Sequence, residues 1–357
     1  MYNRRKSQIN WLILPALLLI LPVIGFCQSK VGTTAAPFLT IGIGSRPIAM
    51  GGAYVSMADD AYSLYWNPAA LARLKHSQLI LVHTDYLADI DMNYVGAVFC
   101  LGDGHSLGAS ATLLNTGEME VTTETQQEGT GIYFNSYDLA MAVSYAFMFY
   151  DKFSIGFNAK YIYQTIWHES AQGIAVDVGT LLITPLYDIR LGMNISNFGT
   201  NMQMTGKDLL VTYDPATYKQ GNNENVYAEI QTDHWQLPLN MRVGLSGEVI
   251  QTRRDRFTLA MDWVHPNDNT EFIDIGCEYG YFEMFFLRAG YKALRPALDV
   301  SDGFDFELSP RDSGGGLTFG AGLQWKLSKQ WSLKLDYAFE SFDRLGSIHK
   351  YSLCFGF

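Results

Sequence analysis

The residues able to do chemistry are few, and their spacing does not assemble a reaction centre. Asp59 and Asp60 are adjacent, a poor arrangement for a general acid and base. The plain reading is a cap, with Asp59 capping "DAYSLYW" (60–66). The stretch "GIGSRPIAMGG" (42–52) has a GxG but lacks the following glycine spacing and the strand–helix–strand setting of a phosphate loop. The seven histidines are scattered, with no HExxH and no pair at metal-ligand spacing. No GxSxG elbow occurs. Cys100, Cys277 and Cys354 lie far apart and read as unpaired small residues on strands. The sequence therefore points to no enzyme, no metal and no cofactor.

The elements that would position these residues are strands. Hydrophobic residues make up 48% of the 357 and charged residues 17%, a composition that excludes disorder. From about residue 77 onward the pattern has a period of two. "FSIGFNAKYIY" (153–163) sets Phe153, Ile155, Phe157, Tyr161 and Tyr163 against Ser154, Gly156, Asn158 and Lys160. "WSLKLDYAF" (331–339) does the same with Trp331, Leu333, Leu335, Tyr337 and Phe339. A β-sandwich also alternates, with its apolar face inward. These strands, however, run longer than the usual five or six residues. Their apolar faces carry aromatics toward the ends and aliphatics between, as a lipid-facing band with two girdles requires.

Fourteen strands are expected, near 77–85, 92–101, 105–115, 137–148, 152–164, 173–184, 187–197, 237–249, 256–264, 271–280, 283–293, 316–327, 331–340 and 347–357. Links after even-numbered strands are tight, as in "GDG" (102–104), "FYD" (149–151), "PL" (185–186) and "SKQ" (328–330). Links after odd-numbered strands are mostly longer, the longest at 116–136, 198–236 and 294–315. That sorting predicts an all-β fold, a 14-stranded antiparallel transmembrane β-barrel of a bacterial outer membrane with both termini periplasmic. Its solvent is outer-membrane lipid. The acidic chain, with a formal charge of −11, does not suit nucleic acid.

Closure explains the end of the chain. In "HKYSLCFGF" the side chains of Tyr351, Leu353, Phe355 and Phe357 share one face. In a bilayer no sheet edge can stay open, so the last strand must pair with the first, near "SQLILVHTDY" (77–86). The terminal Phe357 resembles the carboxy-terminal signal that barrel insertion machinery reads. Asp138, Lys160, Asp177, Arg190, Arg242, Asp262, Asp274, Glu278, Arg288, Lys292, Lys326, Lys334 and Asp336 fall on the faces expected to point inward. Mixed charges there read as mutual salt bridges or contacts to a plug rather than a selective ion path.

Ahead of the barrel lie two further segments. Residues 1–27 read as a cleaved signal peptide: Arg4, Arg5 and Lys6 precede the apolar run "WLILPALLLILPVIGF" (11–26). Ordinary cleavage near Cys27 is favoured over lipid attachment, because Phe26 stands where a small residue is wanted. Residues 28–76 do not alternate. A fourteen-strand lumen is too wide for its own side chains to fill, so this segment is the expected plug or hatch, ahead of a barrel over 77–357. Asn67 can cap a turn with Pro68 in first position.

The segment also carries a resemblance. "AAPFL" (35–39), "GSR" (44–46), "AMGGA" (49–53), "ADDA" (58–61) and "WNPAALA" (66–72) are similar to the amino-terminal signature of the PorV/PorQ family, itself similar to FadL-type transporters. The resemblance implies that Trp66, Asn67, Pro68 and Ala69 lie within the barrel as a hatch, with Asp59 and Asp60 nearby. It also implies a role in type IX secretion. Cargo carboxy-terminal domains or the translocon would dock on the loops 198–236 and 294–315, over a sealed lumen. The alternative is FadL-like passage of a hydrophobic or amphipathic small ligand, which requires a continuous apolar pocket near Phe38, Tyr62 and Trp66. A purely structural role is the third reading.

Overall fold

The computed structural model describes residues 32–57, 59–218, 225–294, 297–299, 303–305, 316–328, 331–342 and 346–357. The segment 1–31 and, within the loop 294–315, residues 295–296, 300–302 and 306–315 lie outside the described residues. The main sheet contains β1 Gln78–Asp85, β2 Asp91–Gly102, β3 His105–Glu120, β4 Tyr133–Tyr150, β5 Phe153–Ile166, β6 Glu169–Ile183 and β7 Arg190–Gly199. It continues through β8 Asn240–Gln251, β9 Asp255–Pro266, β10 Phe272–Tyr281, β11 Phe285–Leu294, β12 Leu317–Lys326, β13 Ser332–Ser341 and β14 Ser347–Gly356. Each strand pairs antiparallel with its neighbours. The sheet closes where β1 meets β14, from Gln78↔Gly356 to Asp85↔His349. Phe357 N–H adds a last bond to the Ser77 carbonyl at 2.9 Å. No edge is left in this cylinder, as hydrocarbon demands.

Strand alternation sorts the side chains. On β14, Lys350, Ser352 and Cys354 are buried while Tyr351 faces out, and Leu353 and Phe355 share its side. Leu81, Val95, Leu323, Leu335 and Leu353 form an aliphatic belt outside, linked strand to strand by register. Aromatic contacts flank it: Trp331 with Phe355 and Phe357 at one end, Tyr337 with Tyr351 and His349 at the other. Lys326 lies exposed at the end of β12 rather than inside, because the strand stops there and the side chain reaches water.

The connections are two-sided. Turns at 103–104, 151–152, 184–189, 252–254, 282–284 and 327–331 occupy one end. The three longest connections, between β3 and β4, β7 and β8, and β11 and β12, occupy the other, together with the tight 167–168 and five-residue links at 86–90, 267–271 and 342–346. The loop expected at 116–136 is shorter, because β3 and β4 stay paired out to Glu120↔Tyr133. Within 200–239 a small hairpin, Leu210–Tyr213 against Val226–Glu229, stands apart from the main sheet.

The leading segment contains two short helices, α1 Ser45–Ala49 and α2 Ser63–Trp66, and 3-10 turns at Pro37–Thr40 and Pro68–Arg73. It contacts the inner side of the wall: α1 rests on β12 and β13, and the Pro68–Arg73 turn on β4, β5 and β6.

Candidate functional site: the segment packed against the inner wall

Residues 36–74 are buried almost without interruption, including Phe38, Ile48, Met50, Tyr54, Tyr62, Leu64, Trp66 and Leu71. So little of this segment is regular that its backbone cannot satisfy itself, and buried N–H and C=O groups must find partners. The wall supplies them. Asp262 Oδ2 accepts from the N–H groups of Tyr54 and Val55, both at 2.8 Å. Ser352 Oγ accepts from Ser45 N–H and Thr318 Oγ1 from Gly51 N–H. Lys350 Nζ donates to the Gly42 carbonyl at 2.6 Å, Asn158 Nδ2 to Leu64, and Ser106 Oγ to Leu71.

Glycines on the same inner face make the approach possible. A Cβ at Gly156, Gly179, Gly192, Gly276 or Gly290 would come within 3.0 Å of Pro68, Asn67, Val55, Met50 and Gly51 respectively. At these positions the missing side chain is filled by backbone or side-chain atoms of the segment.

The charged centre is Arg46. Its guanidinium donates from Nε and Nη2 to both oxygens of Glu278, at 2.7 and 2.8 Å. Nη1 reaches Asp59 at 2.5 Å and Asp60 at 2.6 Å. Glu278 also receives Arg288 at 2.7 Å and Arg256 at 3.0 Å, and Arg288 continues to Asp336 at 2.7 Å. Tyr54 donates its hydroxyl to Asp60 at 2.7 Å. Burial pushes the Asp59 carboxyl up, but the Arg46 charge and hydrogen bonds outweigh it and hold the group well below the usual carboxylate range. Burial raises the Tyr54 phenol well above its ordinary value, so it stays protonated and donates.

The helix-cap expectation for Asp59 is corrected here. α2 has Tyr62 at its cap position with no side-chain cap, Asp60 Oδ1 accepts from Tyr62 N–H at 3.2 Å, and Asp59 is drawn away to Arg46. A two-point bond between two ionised groups outcompetes a cap in which only the carboxylate is charged.

Asn67 stands in extended conformation between α2 and the Pro68–Arg73 turn. Its Oδ1 caps that turn through Ala69 N–H at 3.1 Å. Its Nδ2 bridges the carbonyls of Val55 and Thr180, at 2.7 and 3.0 Å. Pro68 and Ala69 are fully enclosed beside Gly156 and Gly179. Trp66 Nε1 donates to the Ile43 carbonyl at 2.8 Å, and Arg242 stacks 4.6 Å from its ring centroid. Sequence reading missed Arg46 as the hub and passed over Glu340 and Lys350, both buried and facing inward. The signal for Arg46 was a lone charged residue in the run 31–58.

The cavity beside Phe38, Leu64 and Tyr94 holds about 30 Å³. Above Trp66, toward the long-loop end, a vestibule of about 220 Å³ is bordered by Tyr86, Asn240, Arg242 and Phe272. On the loop, Tyr213 is 58% exposed, Tyr227 82% and Ile230 52%.

The family described as "Type IX secretion system protein PorV" matches residues 26–205. No curated protein matches the sequence. Among solved structures, the fold is similar to the Pseudomonas putida toluene transporter TodX, at 13% identity and a TM-score of 0.56, covering 88% of this chain and 98% of that one. It is similar to the CymD monoaromatic hydrocarbon channel at 14% identity and 0.55, covering 88% and 97%. It is also similar to the Ralstonia pickettii toluene transporter TbuX at 12% and 0.52, again covering 88% and 97%. At these identities the likeness is one of fold.

Proposed function

The chain belongs to the family of type IX secretion system protein PorV and forms an outer-membrane barrel, and from that premise we propose that it is a docking protein for secreted cargo or translocon partners. In this reading residues 28–76 are a fixed plug, the long-loop end faces outward, and both termini are periplasmic. The aromatic excursion at 200–236 is the docking surface. One observation carries the reading: the leading segment is bonded to the inner wall from many strands, while Tyr213, Tyr227 and Ile230 stand exposed on a loop outside it. Large exposed aromatic and aliphatic side chains rimmed by polar ones are what a protein partner uses. The terminal strand, with Tyr351, Leu353, Phe355 and Phe357 in alternation, is the element we assign to the barrel insertion machinery.

The alternative is transport of a hydrophobic or amphipathic small molecule. The roles of the fold neighbours, a hydrocarbon channel and toluene transporters, and the vestibule above Trp66 favour it. The two readings separate on a triple variant, Tyr213→Ser, Tyr227→Ser and Ile230→Asn. Docking predicts that cargo export and co-purification with the translocon fall while barrel abundance holds. Unchanged export, together with lost uptake of hydrophobic substrates in a deletion strain, would overturn docking.

A further inference from the structure

The vestibule above Trp66 contains polar groups that the fold leaves unused. The inward-facing arginines Arg190, Arg256 and Arg288 each touch a carboxylate. Arg242 touches none among the described residues, and its buried Nη1 has no hydrogen-bond partner. Beside it Asn240 is 8% exposed and its Oδ1 is also unpartnered. Both line the same cavity of about 220 Å³. A buried donor without an acceptor is costly, so a site of this kind is completed by a ligand or by water.

The neighbouring lysines are already engaged, and the aspartates accept from neutral donors. Lys292 is paired with Glu340 at 2.5 Å. Asp274 accepts from Ala293 N–H and Asp268 from Thr34 Oγ1, each at 2.8 Å. Lys350, next to Glu340, donates to the Gly42 carbonyl. Of the two cations lining the cavity, Arg242 and Lys292, Arg242 is thus the one that bonds no carboxylate among the described residues, although Asp274 lines the same space. Turning the Asn240 amide over would present Nδ2 to the same point. Trp66, Tyr86, Phe272 and Phe342 supply an aromatic part of the wall. The space equals that of about seven waters at ~30 Å³ each, which suits a single ring and a short acid.

We infer that this vestibule binds a small aromatic monocarboxylate, with the carboxylate on Arg242 and Asn240 and the ring among Trp66, Tyr86 and Phe272. The inference is independent of the docking reading, since no described residue of 200–236 lines the site.

The test is calorimetric titration of the detergent-purified full chain with phenylacetate and, separately, with its neutral counterpart 2-phenylethanol. Phenylacetate is expected to bind saturably, and the alcohol at least about tenfold more weakly, the ratio a charge-assisted hydrogen bond supplies. Arg242→Gln is expected to lose about tenfold for the acid and little for the alcohol. Equal affinities for acid and alcohol would overturn the inference. So would the absence of saturation by about 10 mM, a range in which a ligand of this size should register. Should Arg242→Gln fail to assemble, the acid-to-alcohol ratio on the unaltered protein decides alone.

Discussion

Replacing Arg46 by Gln tests whether the charged hub holds the leading segment in place. Arg46 is 2% exposed and bonds three carboxylates. Removing one partner of a buried ion pair costs about 3–5 kcal/mol, because the other charge stays behind. Here the residue left behind is cushioned. Glu278 keeps Arg288 and Arg256, Asp60 keeps the Tyr54 hydroxyl, and Asp59 is 39% exposed to water. The lower end, about 3 kcal/mol, is therefore expected, which is about a hundredfold in the ratio of displaced to seated segment. The barrel itself should still close, because the β1–β14 ladder does not involve Arg46. Limited proteolysis in detergent should show faster cleavage within 36–74, and planar-bilayer recordings should show more frequent open events. Unchanged protection and unchanged conductance in a correctly closed Arg46→Gln barrel would refute the argument.

Three other outcomes follow from the same packing. Gly276→Ala would drive a Cβ against the Met50 carbonyl and should destabilise by about 1–3 kcal/mol in thermal melts, whereas Gly247→Ala, with only Ile189 at 3.6 Å, should be neutral. Asn67→Asp replaces a donor by an acceptor facing the Val55 and Thr180 carbonyls, and should cost about 2–4 kcal/mol, read as loss of protease protection. Asp59 has a depressed folded value, so its contribution is present above the unfolded carboxylate value of about 3.9 and is lost as pH falls through the folded one. Protection of the segment should accordingly hold from pH 7 to about 4 and weaken only in stronger acid; loosening already between pH 7 and 5 would contradict the assignment.

The barrel was readable from the chain because alternation is a local property. In Phe153–Ile166 or Ser332–Ser341 each residue declares its side by parity alone, and the tight links at 103–104 and 151–152 declare where a strand must reverse. Strand number and the sorting of loops follow from counting such units. Places where parity slips were invisible. At Asp177 and Asp274 the register shifts, and each aspartate accepts an N–H from the bulged neighbour, Asn197 or Ala293. Asp59 was misread because its nearest helix lay four residues away in sequence, while Arg46 competed for it in space.

What the sequence determined by itself is the closed, lipid-facing cylinder: period two, aromatic ends and reversals are written within ten or so residues of one another. What only the tertiary structure decided is how the interior is filled. Arg46 meets Glu278 across 232 positions, and Gly276 and Gly290 look like weaknesses in a strand until Met50 and Gly51 occupy the space they leave. Contacts of that span depend on where the cylinder brings distant strands together, and no local pattern in the chain encodes that distance.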